Sequence, residues 1–211
     1  MEHLGIVEVL GIAGSVSLLS GWRLYLTALA TGLAMKFGVL PLPEQLQSLQ
    51  VLANPWVMGV AGLAAFMEFI ADKILWLDSI WDSVHTFIRP VGGALLTLAV
   101  IDPSDPATQA IAFILGGGAS LLAHTGKASA RAVVNTSPEP FSNVAVSTVE
   151  DVATTGLLFL AYSHPVAAGV VAVILLLLAV VLMITAWKIL RRIFVRVQAD
   201  QAAPPAIEGK S

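Results

Sequence analysis

The chain has 211 residues, of which 57% are hydrophobic and only 12% charged, against about 25% charged in an ordinary soluble domain. Its mean hydropathy is +0.85. That composition argues against a soluble globular enzyme or a nucleic-acid-binding domain and for an all-α polytopic membrane protein. A net charge of −3 says little about partners, and the absence of cysteine removes disulfides, thiolate metal sites and cysteine nucleophiles.

The N-terminal stretch "MEHLGIVEVLGIAGSVSLL" has an acid and a histidine where a secretory signal carries Lys or Arg, and its apolar run passes straight into more apolar sequence, so it reads as retained. Apolar segments at 5–20 and 24–40 meet at "LLSGWR" without a loop, and Ser20 and Gly21 either break one long helix or turn between two. The proline-bounded "PLPEQLQSLQVLANP", 41–55, reads as a polar connection outside the hydrocarbon. A third apolar segment, 55–71, leads into "EFIADKILWLDSIWDSVHTFIRP", 68–90. Wound as a helix at 100° per residue, this stretch gathers Glu68, Asp72, Asp78, Ser79, Asp82, His85, Thr86 and Arg89 on one side, with Trp76, Trp81 and the aliphatic residues on the other. Lys73, on the apolar side, is an exception, and Pro90 ends or kinks the helix. Only 11 apolar residues follow before Asp102, too few to span alone.

The segment at 107–123 contains three consecutive glycines and leads into His124, Lys127 and Arg131. A polar block at 127–151, punctuated by Pro138 and Pro140, reads as a loop, and Arg23, Asn135, Glu139, Asn143, Glu150 and Asp151 are available to complete a charge network or to face water. The spans end with 144–162 and the 25-residue "VAAGVVAVILLLLAVVLMITAWKIL", 166–190, which comfortably exceeds the ~20 residues that cross ~30 Å of hydrocarbon. Lys188, Arg191, Arg192 and Arg196 follow, so the positive-inside rule places this end in the cytoplasm. Residues 1–198 form one transmembrane domain and 199–211 a disordered cytoplasmic tail. Stretches 55–101 and 107–162 have the look of two related units, each with an interrupted hydrophobic segment, the pattern that marks a central site in transporters.

Ionisable groups within a bilayer are costly and are therefore paired or functional. Glu68 and Asp72, four residues apart, would need a cation or a shared proton if buried together. Lys127 and Arg131, also four apart, with His124 one turn earlier, offer a basic face opposite the acidic one. A purely structural clamp between the two faces is the plainer alternative. Asp78, Asp82 and His85 lie at i, i+4 and i+7, a spacing that would let one helix face hold a divalent cation, though the glycine- and arginine-bearing contexts of Mg²⁺-dependent prenyl- and phosphotransfer enzymes are missing.

The strings "ADKILWLDSIWDSVHTFIRPVGGALL" and "GKASARAVVNTSPEPFSNVAVSTVED" resemble the two signature blocks of a bacterial integral-membrane family known as domain of unknown function four-one-two-six. The resemblance runs from "GWRLYLTALATG" to the last span and implies a polytopic inner-membrane protein, while supplying no activity. The side chains themselves point to a small transporter or channel-like permease. In it Glu68, Asp72, Asp78, Asp82 and His85 handle protons or a coupling cation, and Lys127, Arg131 and Arg89 receive an anionic group or neutralise the acids. The competing readings are a lipid-interacting or structural membrane protein, with the 68–90 helix flat in the headgroup layer, and a metal-dependent enzyme acting on lipid-linked phosphate. Membrane lipid is the expected partner, with a small ion or anionic solute and self-association left open. No cofactor is expected beyond a divalent cation.

Overall fold

The computed structural model describes residues 4–38, 44–101, 104–134 and 140–202. Among them the chain forms α1 (Ile6–Phe37), a 3-10 helix (Glu44–Ala53), α2 (Pro55–Ala71), α3 (Leu75–Ile101), α4 (Pro106–Val134), α5 (Pro140–Ser163) and α6 (Pro165–Ala202). Helix starts follow local chemistry. The Asn54 side chain accepts from the Trp56 N–H (2.9 Å) ahead of α2, and Asp105 accepts from the Thr108 N–H (2.8 Å) ahead of α4. Proline opens α2, α4, α5 and α6, at the turn where its missing N–H costs nothing. Gly38, at φ +59°, closes α1 in the left-handed conformation that glycine adopts without strain.

Five helices are long and apolar enough to cross a membrane, or up to six if the 3-10 helix and α2, bent by 75° at their junction, count as one broken span or re-entrant loop. The protein is a polytopic α-helical membrane protein. Its side chains are sorted accordingly: Val170, Val173, Ile174, Leu177 and Val181 of α6 face outward, while Arg23, Arg89 and Arg131 are each at most 1% exposed.

Packing depends on small residues. A methyl group on Gly93 would meet the Ser120 side chain, one on Gly116 the Thr97 side chain, and one on Gly21 the Ser120 carbonyl. These contacts, with Thr86 beside His124 and Asp78 beside Arg131, run α3 and α4 antiparallel. Ser17 donates to the Gly116 carbonyl (2.5 Å) and Lys127 to the Trp22 carbonyl (3.2 Å), so the first limb of α1 runs parallel to α4. In the pairs α2–α3 and α4–α5, which make up the two units seen in the sequence, the partners hardly touch each other and pack on α1 instead.

α1 is not a straight rod. Arg23 has φ −145° and ψ 68°, outside the helical region. Gly11, before it, packs on Pro165, and Thr31, beyond it, bonds Tyr162 (2.9 Å). Twenty residues of straight helix would hold Gly11 and Thr31 about 30 Å apart, so the second limb bends back towards the α5–α6 junction. The break expected at Ser20 or Gly21 thus falls at Arg23, and the carbonyls around it are captured. Arg89 donates to Gly21 (3.0 Å), Lys127 to Trp22 (3.2 Å) and the Thr27 hydroxyl to Arg23 (2.8 Å). A bend at membrane depth is tolerated where the freed backbone groups find such partners.

Three further expectations are corrected. The stretch 68–90 is not one helix, because α2 ends at Ala71 and α3 starts at Leu75, and α3 then runs through Pro90 to Ile101. The block 127–151 is mostly helical, with α4 reaching Val134 and α5 starting at Pro140. The Ala-, Lys- and Arg-containing "GKASARAVV" favours helix over loop. The segment 41–55 does not simply leave the bundle, since Leu46 and Leu49 of its 3-10 helix are fully buried. They join Ile12, Val16, Leu96, Val100, Leu157 and Ala168 in the apolar core at one end of the molecule. The other end, built from the α1 bend, the α2–α3 turn, the last turns of α4 and the first half of α5, holds the charges.

Candidate functional site

Asp72 sits at the C-terminus of α2 and is fully buried. Its Oδ2 takes an ion pair from Arg23 at close range and lies 3.5 Å from Arg131 and 3.7 Å from Lys127. Glu150 of α5 receives the same three cations, from Arg131 at 2.9 Å and from Arg23 and Lys127 at 3.5 Å. Arg23 Nε also lies 3.0 Å from Asp151, and Arg131 Nη1 bonds Asp78 (3.2 Å) and the Asp72 carbonyl (3.0 Å). Ser147, buried on α5, accepts from Arg23 (3.1 Å) and from Lys73 (3.3 Å). Lys73 otherwise stands at the margin, over the Phe69 ring at 3.2 Å from its centroid.

A second group centres on Arg89 of α3. It pairs with Glu68 at 2.6 Å and lies 3.6 Å from Asp82. Its Nη1 donates to His124 Nδ1 (2.8 Å), which leaves the His124 proton on Nε2, 3.1 Å from the Asp82 carbonyl and 3.0 Å from the Thr86 hydroxyl. Beside it, His85 stacks on Trp81 with ring centroids 4.3 Å apart, and its Nε2 is 2.9 Å from the Tyr25 hydroxyl.

The structure therefore brings together Glu68, Asp72, Lys73, Asp78, Asp82, Arg89, His124, Lys127, Arg131, Glu150 and Asp151, with His85 at the edge. Asn135 and Glu139 lie outside the described residues, as does the Asn143 side chain. Glu68 and Asp72 each meet a cation, the first of the two expected outcomes, because the α2–α3 turn sends Asp72 to Arg23 while Glu68 turns to Arg89. Asp78, Asp82 and His85 go to Arg131, Arg89 and Tyr25 respectively, and among the described residues no three His, Asp or Glu side chains gather to hold a metal. Arg23, left open by the sequence, is a hub. Its signal was a lone arginine deep inside an apolar segment, two residues after a glycine. Tyr25 and Ser147 gave no comparable signal.

The accounting within this site is uneven. Six carboxylates (Glu68, Asp72, Asp78, Asp82, Glu150, Asp151) face five cations, with Arg23, Arg89, Lys127 and Arg131 buried and Lys73 at the margin. Among the described residues, Glu68 Oε2, Asp72 Oδ1 and Asp82 Oδ1 are buried without a hydrogen bond, as are Arg23 Nε and Arg89 Nε. A cavity of about 210 Å³ between α3 and α4 touches the network, lined by Asp78, Ser79, Asp82, Ser83, Thr86 and Arg131 together with two alanines. A larger groove of about 300 Å³ between α1 and α5, lined by residues such as Leu33, Phe37, Leu158 and Phe159, is apolar and remote from the charges.

Fold and site together define a polytopic membrane protein with a buried ion-pair network opening to a polar cavity. The chain belongs to the family described as Domain of unknown function (DUF4126), whose model matches residues 10–185. No curated protein and no solved structure matches it.

Proposed function

We propose that this protein is a small permease of the bacterial inner membrane that moves a small ion or solute through the charge network, coupled to protons or a cation. The cavity between α3 and α4 is the observation that supports this reading. Its acidic and basic lining residues, Asp78, Asp82 and Arg131, are themselves members of the buried network, so a solute in the cavity meets the charges directly. Bent helices whose freed carbonyls face charged groups are also what transporters use to build a site. A merely structural clamp needs neither an excess of carboxylates nor a cavity.

The same geometry counts against a flat interfacial helix, since the polar face of α3 turns into the bundle while Trp76 and Phe87 face outward. Divergent partners of Asp78 and Asp82 count against a lipid-phosphate enzyme that would need both on one Mg²⁺.

The positive-inside rule sets the orientation. Lys188, Arg191 and Arg192, late in α6, belong to the end holding the charge network, against Lys36 at the other. The network end and the C-terminus then face the cytoplasm.

Proteoliposomes loaded with a pH-sensitive dye test the function. Imposing a sodium or potassium gradient should drive a pH change that Asp72→Asn and Lys127→Gln abolish while remaining folded. Two folded variants that behave like the parent would sink the assignment to these residues.

A further inference from the structure

The network contains both signs of charge, and its hydrogen bonds decide which sign of solute it receives. We infer that the cavity between α3 and α4 is a binding site for a hard monovalent cation, an alkali-metal ion, with Asp82 as its charged ligand. This deepens the permease reading and rests on it for any role in transport, though not for binding itself.

The cations are already committed. Arg131 makes four hydrogen bonds, to both Glu150 oxygens, to Asp78 and to the Asp72 carbonyl, and its Nη2 also stands 3.5 Å from Asp72 Oδ2. Lys127 is held between the Trp22 carbonyl, Asp72 and Glu150. Arg89 is held by Glu68, the Gly21 carbonyl and His124, and its Nε, which makes no hydrogen bond, is buried on a residue outside the cavity lining. A guanidinium or ammonium with its donors engaged has little left for an incoming anion.

The cavity wall, by contrast, is rich in acceptors. Asp82 is 7% exposed, and its Oδ1 makes no hydrogen bond, with Arg89 standing off at 3.6 Å. Ser83 spends its proton on the Ser79 carbonyl (2.7 Å), which leaves its lone pairs available, while Thr86 donates to the Asp82 carbonyl (2.9 Å) and accepts from His124 Nε2 (3.0 Å). Carboxylate and hydroxyl oxygens suit hard cations rather than soft ones. Asp78 is neutralised by Arg131, which leaves roughly one uncompensated negative charge at the cavity and favours a monovalent ion over a divalent one. The volume of about 210 Å³ corresponds to roughly seven waters at ~30 Å³ each. That is room for an ion with part of its hydration shell.

The test is equilibrium binding to the full-length protein in lipid nanodiscs, with radioactive sodium as probe and potassium, methylammonium, chloride and phosphate as competitors or parallel ligands. We expect saturable sodium binding displaced by potassium. Asp82→Asn should weaken it by about tenfold or more, Ser83→Ala by a few-fold, and the remote Lys188→Gln should leave it unchanged. Asp82→Asn keeps the Arg89–Glu68 pair, so it should fold. Should it fail to, Ser83→Ala, on an exposed part of α3, decides instead. Unchanged affinity in that variant overturns the site. No sodium or potassium binding, chloride or phosphate bound in their place, or methylammonium preferred over both alkali ions would each overturn the inference, while a permease for another small ion or solute would stand. Sodium binding with no flux of any kind in proteoliposomes would do the reverse, sinking the permease and leaving the site.

Discussion

Two charged groups lie side by side in this bundle, and they are built on different principles. Around Asp72 and Glu150 the bonding is many-to-many, each carboxylate facing Arg23, Lys127 and Arg131. Around Glu68 it is one-to-one, with Arg89 as the direct partner, fixed in turn by His124 and the Gly21 carbonyl. Removing one partner from a one-to-one pair strands a charge out of water, which is the expensive event. In the many-to-many group a lost partner is covered by the others, and small shifts can redistribute cations among carboxylates. The first arrangement suits a joint that must hold α2 to α3, the second a place where charge is exchanged.

The contrast is sharpest in its largest consequence. Arg89→Leu should lower the thermal stability of the purified protein in mild detergent by about 3–5 kcal/mol, because Glu68 is left buried and unpaired. The double variant Arg89→Leu with Glu68→Leu should recover most of that loss, since a pair replaced by apolar groups is often neutral. A double variant no better than the single one would show that the pair is not the joint. Next in size is Gly21→Ala. It would press a methyl group onto the Ser120 carbonyl where Arg89 and His124 also meet α1, and should cost about 1–3 kcal/mol by overpacking. Gly118→Ala, on the same stretch of α4 with open space around it, should be near neutral in the same melt.

How far the sequence announced all this depends on the kind of signal. The acidic face of 68–90 and the basic face of His124, Lys127 and Arg131 were legible from spacing alone, because ionisable residues in so apolar a chain must find one another. The turn at 72–74 was not, since "ADKIL" contains no Gly or Pro, and Asp72 is drawn there by cations from α1 and α4 that are distant in sequence. Arg23 was readable as a network member or a water-facing residue, and only the bend sets it between Asp72 and Asp151. The 3-10 helix did leave a trace: Leu46, Leu49 and Leu52 recur every three residues, the 3-10 period, inside a segment whose glutamines and prolines suggested a solvated connection.

The redundant group should be measurably more forgiving. Lys127→Gln leaves Asp72 and Glu150 each facing two arginines, so its effect on the melt should be about 1–2 kcal/mol, the worth of hydrogen bonds to charged groups. Flux should nevertheless fall, because the variant removes one of the three cations that bridge both carboxylates. A loss of stability as large as that of Arg89→Leu would erase the distinction between the two groups.

The smallest effect lies outside both groups and serves as their reference. Asp105 is a solvent-exposed cap, and the Thr108 hydroxyl, the Thr108 N–H and the Ala107 N–H, all donating to its carboxylate, hold its pKa below the usual range. A carboxylate lowered in the folded state adds stability above its unfolded pKa of about 3.9 and loses it as the pH drops through the folded value. Asp105 should therefore add a slight fall to the melting temperature between pH 7 and pH 3, and Asp105→Ala should remove that contribution while leaving flux intact. Being exposed and local, it should shift the melt less than any of the buried substitutions. An Asp105→Ala effect matching that of Lys127→Gln would mean that the network's charges are no better insulated from water than a surface cap.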